Sequence, residues 1–380
     1  MSDLIPHTRE HTAWPRRVTL CGSFGFHNAG DEAAPLAVAD LAHSIGADIG
    51  FDVVGRFDRP DMPDVIGLGA HDKARQERLR GQPVLFVGGG VVESMPHSVL
   101  ARCRRLVRDS RPARVSLFAA AVEADVKYRM LVRWQIRRAL GGMAQLYVRD
   151  VLSAEVLRRL VPKRTVTVTG DVVLWMQAEP ELPIPVRSIG RYIAVSLADV
   201  WKGTPGWCDW LAAQLARIAR RLDAAVVFVP CSARFSDDCG EHDRVAGQLA
   251  ALNPNIPVVR IGDGLGPRGV AAVLGGAVLA IGMRLHACVM AYAQRTPCVG
   301  LAYHPKLIGF ARTTGCDHWF IPTRTLGKQT APYGYTFADT GLATTDLESV
   351  AMDALENTSY ERLDELRGQL VEAFVRSIAS

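Results

Sequence analysis

The chain has 380 residues, more than one hydrophobic core usually serves, so two domains are expected. Hydrophobic residues make up 48% and charged residues 22%, the proportions of an ordinary globular protein, which excludes a disordered or fibrous chain. The formal charge of +5 suits an anionic substrate or an acidic surface, while 7% aromatics and no basic-aromatic motif argue against a nucleic-acid partner.

Residues 1–17 read as a mobile tail. Val18 to Cys21 predicts a first strand, followed by the loop Gly22-Ser-Phe-Gly-Phe-His27-Asn28-Ala-Gly30-Asp31-Glu32 and a helix pattern through Ile45. Glycines that follow a strand and open a helix can present backbone N–H groups and a positive dipole end to an anion. The spacing is not GxGxxG, and Asn28 and Asp31 read equally as turn and helix-cap residues. Phe51 to Gly55 and Val65 to Leu68 predict further strands. Pro83 to Val87 predicts a clearer one ending in Gly88-Gly89-Gly90, either a tight turn or a place where a ligand or another backbone comes close.

From Arg102 to Arg138 the chain is arginine-rich around two helix patterns, the second containing Trp134. Such a run is either a solvated helical face or a basic surface resting on anionic lipid or a lipid-linked phosphate substrate. Tyr147-Val-Arg149-Asp150 ends a strand and starts a helix to Leu160, and Val166 to Asp171 holds the next strand end. Three prolines between Glu179 and Ser188 mark a linker, placed at 183–190 between domains at 18–182 and 191–345. The alternation then restarts: strands at Tyr192 to Leu197, Ala225 to Pro230 and Val258 to Ile261, with helices at Trp207 to Leu222 and Asp237 to Leu252. Residues 346–380 form terminal helices, with Leu363, Leu366, Leu370 and Phe374 on one face. Alternation in both halves predicts an α/β protein of two Rossmann-like doubly wound domains.

Ala280 to Phe310 organises the second half. An apolar strand from Gly276 to Gly282 delivers Arg284-Leu285-His286, a helix follows, and a second strand from Cys298 is tipped by Tyr303-His304-Pro305-Lys306. Parallel sheets bind ligands at the carboxyl ends of their strands, so Arg284, His286 and Lys306 are candidates for one anion-handling site. The eight cysteines form no CxxC pair, and no His/Asp/Glu cluster has ligand spacing, so neither a metal nor a cofactor is expected. Met1 to Arg17 lacks a signal-peptide core and no apolar run reaches membrane-spanning length. The expectation is a cytoplasmic protein, with peripheral contact at the cytoplasmic face of the inner membrane and homo-oligomer formation left open.

The ordered motifs GSFGFHNAGDEA (Gly22 to Ala33), GGG (Gly88 to Gly90), YVRD (Tyr147 to Asp150), TGD (Thr169 to Asp171), MRLH (Met283 to His286) and YHPK (Tyr303 to Lys306) together resemble the polysaccharide pyruvyl transferases. The resemblance implies a glycosyltransferase-B-like pair of domains facing across a cleft. It implies phosphoenolpyruvate as donor and a sugar or lipid-linked saccharide as acceptor, with a pyruvate ketal as product. The family's positions for donor binding or catalysis correspond to Arg149, Arg284, Leu285, His286 and Lys306; His27, Asn28, Asp31, Gly89 and His304 are acceptor or loop candidates. The family's usual tyrosine in the first loop is replaced by Ser23 and Phe24, and its usual aspartate before Pro-Lys by His304.

Arginine's planar fork suits a carboxylate and lysine is a compact partner for phosphate. Arg284 and Arg149 are thus assigned the donor's anionic groups, Lys306 the leaving phosphate and His286 a proton transfer, with His286 or Lys306 as the group that protonates carbon. Two alternatives stand beside this reading. One is a nucleotide-sugar glycosyltransferase using Glu348 and Glu356; the other is a catalytically degenerate binding subunit.

Overall fold

The computed structural model describes residues 14–25, 28–55, 65–67, 77, 79–92, 99–123, 130–202, 204–232, 237–322 and 342–379. His27 and residues 1–13 of the expected tail lie outside them. Arg17 already belongs to the first strand, where its guanidinium holds the buried Asp52 carboxylate at 2.9 Å. The described residues form two compact units, one taking those up to 25, from 31 to 176 and from 361 onward, the other 28–30 and 177–360.

In the first unit seven strands run in the order β3-β2-β1-β4-β5-β6-β7, all neighbours parallel. They are β1 (Arg17–Cys21), β2 (Gly50–Gly55), β3 (Val65–Gly67), β4 (Pro83–Val92), β5 (Arg114–Val122), β6 (Leu146–Val148) and β7 (Thr167–Val168). Helices α1 (Ala29–Ser44), α2 (Val99–Ser110), α3 (Met130–Gly141) and α4 (Val151–Leu160) make the crossovers. Strands such as Pro83-Val-Leu-Phe-Val are apolar at consecutive positions because both faces of a parallel sheet are covered. Their side chains, with Cys103, Leu140 and Leu157 from the helices, form one core.

The second unit has six strands in the order β10-β9-β8-β11-β12-β13, again all parallel. They are β8 (Tyr192–Ser196), β9 (Ala225–Phe228), β10 (Val258–Arg260), β11 (Leu279–Gly282), β12 (Cys298–Ala302) and β13 (Phe320–Pro322). Its helices are α5 (Ile184–Arg187), α6 (Trp207–Leu222), α7 (Asp238–Leu252), α8 (Pro267–Gly275), α9 (Leu285–Ala293), α10 (Pro305–Thr314) and α11 (Leu347–Asn357). The chain then returns to the first unit as α12 (Glu361–Ile378), where Arg367 Nε donates to Leu174 O at 2.9 Å.

Three local expectations differ from the structure. Gly88 to Gly90 do not end β4: the strand runs through them to Val92, with register shifts at Val87/Gly88 and Gly88/Val92 where Gly88 and Gly90 take φ of +84° and +63°. Glycine alone tolerates these values cheaply, so the strand bends instead of stopping. Residues 183–190 are not a bare linker, because prolines at helix starts are as welcome as in linkers; Pro185 sits in the first turn of α5, which buries Val186. The division between units falls at 176/177, and the terminal helices part company, α11 in the second unit and α12 in the first.

All eight cysteines are free thiols. Cys21 and Cys103 lie together in the first core, where hydrogen bonding to Cys103 and burial push the Cys21 thiol well up. In the second unit Cys298 is raised in the same way by Cys288, and burial raises Cys231 and Cys316 to about 12. Among the described residues, no helix is long and apolar enough to cross a membrane and no cluster of three His, Cys, Asp or Glu side chains could hold a metal ion.

Candidate active site

In the second sheet the strand order reverses between β8 and β11, which opens a crevice at their carboxyl ends. Ser196 on β8 pairs with Gly282 on β11, and Met283 N donates to Ser196 O at 2.8 Å, so Arg284 emerges at this switch point. It is the N-cap of α9 with extended backbone angles (φ −78°, ψ 129°), which turns its side chain out of the helix. One strand over, β12 repeats the arrangement: His304 is the N-cap of α10, accepting from Lys306 N through Nδ1 at 3.3 Å. Arg284 and His304 are thus equivalent caps on adjacent strands, with His286 and Lys306 each two residues further on.

Arg284 does not stand alone. Its Nε donates to Asp238 Oδ2 at 3.1 Å and its Nη2 to Asp238 Oδ1. Asp238, fully buried at the start of α7, also accepts from Cys231 N at 3.3 Å and Ser232 N at 3.0 Å. Burial would lower the Arg284 pKa, but the fields of Tyr303 and Asp238 outweigh it and hold the value above that of an ordinary arginine. A charged fork pinned by a carboxylate that two backbone N–H groups hold in turn has its rotamer settled before any ligand arrives, which suits it to receive an anion.

Residues 28–30 complete this side. Asn28 forms an isolated antiparallel bridge with Ser232, its Oδ1 accepts from Gly30 N at 3.0 Å, and Ala29 N donates to Cys231 O at 2.8 Å. The His286 imidazole packs on Gly30 so closely that a Cβ there would fall 1.9 Å from Nδ1. Leu285 is 3% exposed, so its side chain belongs to the core and only its backbone faces the helix start. Glu348, weighed for a glycosyltransferase reading, is instead bridged to Arg217 Nε at 2.8 Å, and Glu356 is exposed.

Sequence reasoning missed Asp238 and a second buried group on the same helix, His242. Its Nε2 accepts from Leu197 N at 3.0 Å while Nδ1 has no hydrogen-bond partner among the described residues. Burial, then the positive charge of Arg284, pushes its pKa down to about 3. The available signal was the acidic pair Asp237-Asp238 opening the helix after β9, the neighbour of the switch-point strand β8.

The first unit holds Arg149 just after β6, Asp31 in the first turn of α1 and Gly89 within β4. Arg149 is buried between Asp150 (Nε to Oδ2, 3.2 Å) and Asp171 (Nη1 to Oδ2, 3.4 Å). Both carboxylates are helix caps, Asp150 accepting from Ser153 N and Asp171 from Val173 N, so the arginine is locked to two helix starts. At that sheet's switch point, between β1 and β4, a Cβ on Gly89 would lie 2.9 Å from Asp31 Oδ1. Phe24, in the loop where the resembled family carries tyrosine, is 1% exposed with its ring folded over Gly22, and so fills core space.

Solved structures similar in fold include UDP-GlcNAc 2-epimerase from Methanocaldococcus jannaschii, 12% identical over 90% of this chain and 92% of that one, with a TM-score of 0.54. A putative UDP-N-acetylglucosamine 2-epimerase from Listeria monocytogenes is 13% identical over 93% and 90%, with a TM-score of 0.55. At such identities the likeness shows the fold, two Rossmann-like domains of the glycosyltransferase-B kind, and no chemistry. No curated protein matches the chain significantly. The family model described as polysaccharide pyruvyl transferase matches residues 28–305, which takes in Asn28, Arg149, Asp238, Arg284, His286 and His304. The chain belongs to the polysaccharide pyruvyl transferase family.

Proposed function

We propose that the protein transfers the pyruvyl group of phosphoenolpyruvate to a hydroxyl pair on a sugar of a cell-surface or exopolysaccharide precursor, forming a ketal and releasing phosphate. The acceptor is a free or lipid-linked saccharide, and no further cofactor takes part. The observation that carries the reading is Arg284, fixed by the buried Asp238 at the switch point of the second sheet, with His286 on the same helix start and Lys306 on the next.

The reaction adds a proton to the donor's terminal methylene, making a methyl group and leaving positive character on the carbon that bears oxygen. One acceptor hydroxyl attacks that carbon and gives up its proton, phosphate departs with its bonding electron pair, and the second hydroxyl closes the ketal with loss of its own proton. One of these two protons replaces the one taken by carbon, and the other leaves on phosphate. Arg284 binds an anionic group of the donor, Lys306 meets the phosphate, and His286 moves the proton. In the first unit the charge of Arg149 is already compensated by Asp150 and Asp171.

The test is the melting temperature of the purified protein with phosphoenolpyruvate, and with a UDP-sugar for comparison, in wild type and Arg284→Ala. Ligand that binds only the folded state raises the melting temperature. A rise with phosphoenolpyruvate that is lost in the variant is expected. A response to the UDP-sugar alone refutes the reading in favour of sugar-nucleotide chemistry.

A further inference from the structure

Helix α3 carries two large apolar residues on the same exposed face as its arginines. Ile136 and Leu140 face the core, while Met130, Arg133, Trp134, Arg137 and Arg138, spaced three and four apart, form one exposed face. Met130 is 88% exposed and Trp134 56%, the largest apolar exposures among the described residues of this unit. The Arg138 guanidinium lies 5.7 Å over the Trp134 ring.

The neighbouring end of α4 extends the charge. Arg158, Arg159 and Lys163 are exposed there, and Arg164 is half-buried, against a single exposed acid, Glu155, among residues 130–164. The anchors of these cations are backbone carbonyls: Arg137 Nε donates to Leu160 O at 2.7 Å, Arg158 Nη2 to Val166 O at 3.2 Å, and Arg164 Nη1 to Gly141 O at 2.7 Å. A carbonyl orients a guanidinium without cancelling its charge, so the field stays available to a partner.

We infer that the α3–α4 face is a docking surface for an anionic phospholipid bilayer, with Trp134 and Met130 entering the headgroup boundary and the surrounding arginines meeting lipid phosphates. A soluble polyanion would use the arginines but give Met130 and Trp134 nothing to enter. An interface of mixed charge and hydrocarbon uses both, since tryptophan and arginine each combine an apolar body with a polar tip. The inference stands apart from the donor site, because the assay below contains neither phosphoenolpyruvate nor an acceptor.

The experiment is co-sedimentation of the full chain with phosphatidylcholine vesicles, with and without phosphatidylglycerol, against heparin as a soluble polyanion. Wild type is expected to bind only the anionic vesicles, less so as salt rises. Arg133→Gln with Arg138→Gln should lower the partition coefficient about 30-fold, from the usual attraction per cation near such a surface. Trp134→Ser should weaken binding with the arginines intact, and the vesicle-induced blue shift in emission should vanish in Trp134→Phe. These side chains project into solvent, so circular dichroism should show the variants folded. Equal binding to both vesicle types, no binding to either, tighter binding to heparin than to vesicles, or variants that bind like wild type would each overturn the inference.

Discussion

Replacing Gly30 by alanine tests the contact between Gly30 and the His286 imidazole. The added Cβ falls 1.9 Å from Nδ1, 2.2 Å from Cγ and 2.5 Å from Cβ of His286. Spinning the ring about its own bond leaves the last two contacts in place, so the whole side chain must swing away. Ordinary contact begins near 3.4 Å, so Nδ1 must retreat by about 1.5 Å, and misplacement of a catalytic group by about 1 Å can cost 100-fold in rate. Gly30 lies in the first turn of α1, where alanine is the better helix former by up to about 1 kcal/mol, which offsets part of the cost of displacing the side chain and leaves a loss of about 0–2 kcal/mol in stability. The assay is steady-state phosphate release from phosphoenolpyruvate with acceptor present, run on Gly30→Ala, His286→Ala and the double variant. Both single variants should lose about 100-fold or more in kcat, and the double variant should be no worse than His286→Ala, because one group is being lost twice. Wild-type turnover in Gly30→Ala, or losses that multiply in the double variant, would refute the argument that this glycine serves the imidazole.

Asp238→Asn keeps the shape but removes the charge facing Arg284. Breaking a buried pair usually costs about 3–5 kcal/mol, and retention of one acceptor oxygen should bring this to about 2–3, read by urea unfolding through the tryptophans of the second unit. KM for phosphoenolpyruvate should rise as the fork loses its orientation, and a stability within about 0.5 kcal/mol of wild type would count against the pair. His242 is held neutral, its folded pKa of about 3 lying below the unfolded value near 6.5. The unfolded state therefore binds the extra proton between those values, and the stability conferred by a neutral imidazole is complete above pH 6.5 and lost as pH falls toward 3. His242→Gln should flatten the slope of stability against pH between 6 and 4 by about 1.4 kcal/mol per unit, and an unchanged slope would contradict the assignment. Gly300→Ala should destabilise the second unit by about 1–3 kcal/mol without touching the site, because its Cβ would sit 2.1 Å from the Phe320 ring; thermal melting checks this.

The alternation of apolar runs and amphipathic helices made the Rossmann-like class legible, since buried parallel strands must be apolar at consecutive positions. Arg284, His286 and Lys306 were legible for the same reason: each follows such a run and opens a helix. What lay beyond sequence was pairing across the sheet. Nothing in residues 237–238 says that the carboxylate following β9 reaches back to Arg284 on a strand two places away, because that depends on the strand order. Gly88 to Gly90 misled because glycines mark bulges as readily as strand ends, and Leu285, adjacent to two polar site residues, turned inward as helical spacing requires. The short α5 was hidden because prolines suit a helix start as well as a linker.

The buried thiols have a use unconnected with turnover. Only a thiolate attacks an alkylating reagent, and Cys21 in the first unit and Cys231, Cys298 and Cys316 in the second are both shielded and held protonated. Each therefore stays silent until its surroundings come apart, and modification proceeds at the pace of that opening. Peptide mapping after brief exposure to reagent would time the loosening of each half of the chain independently, with the native cysteines as clocks and no label to introduce.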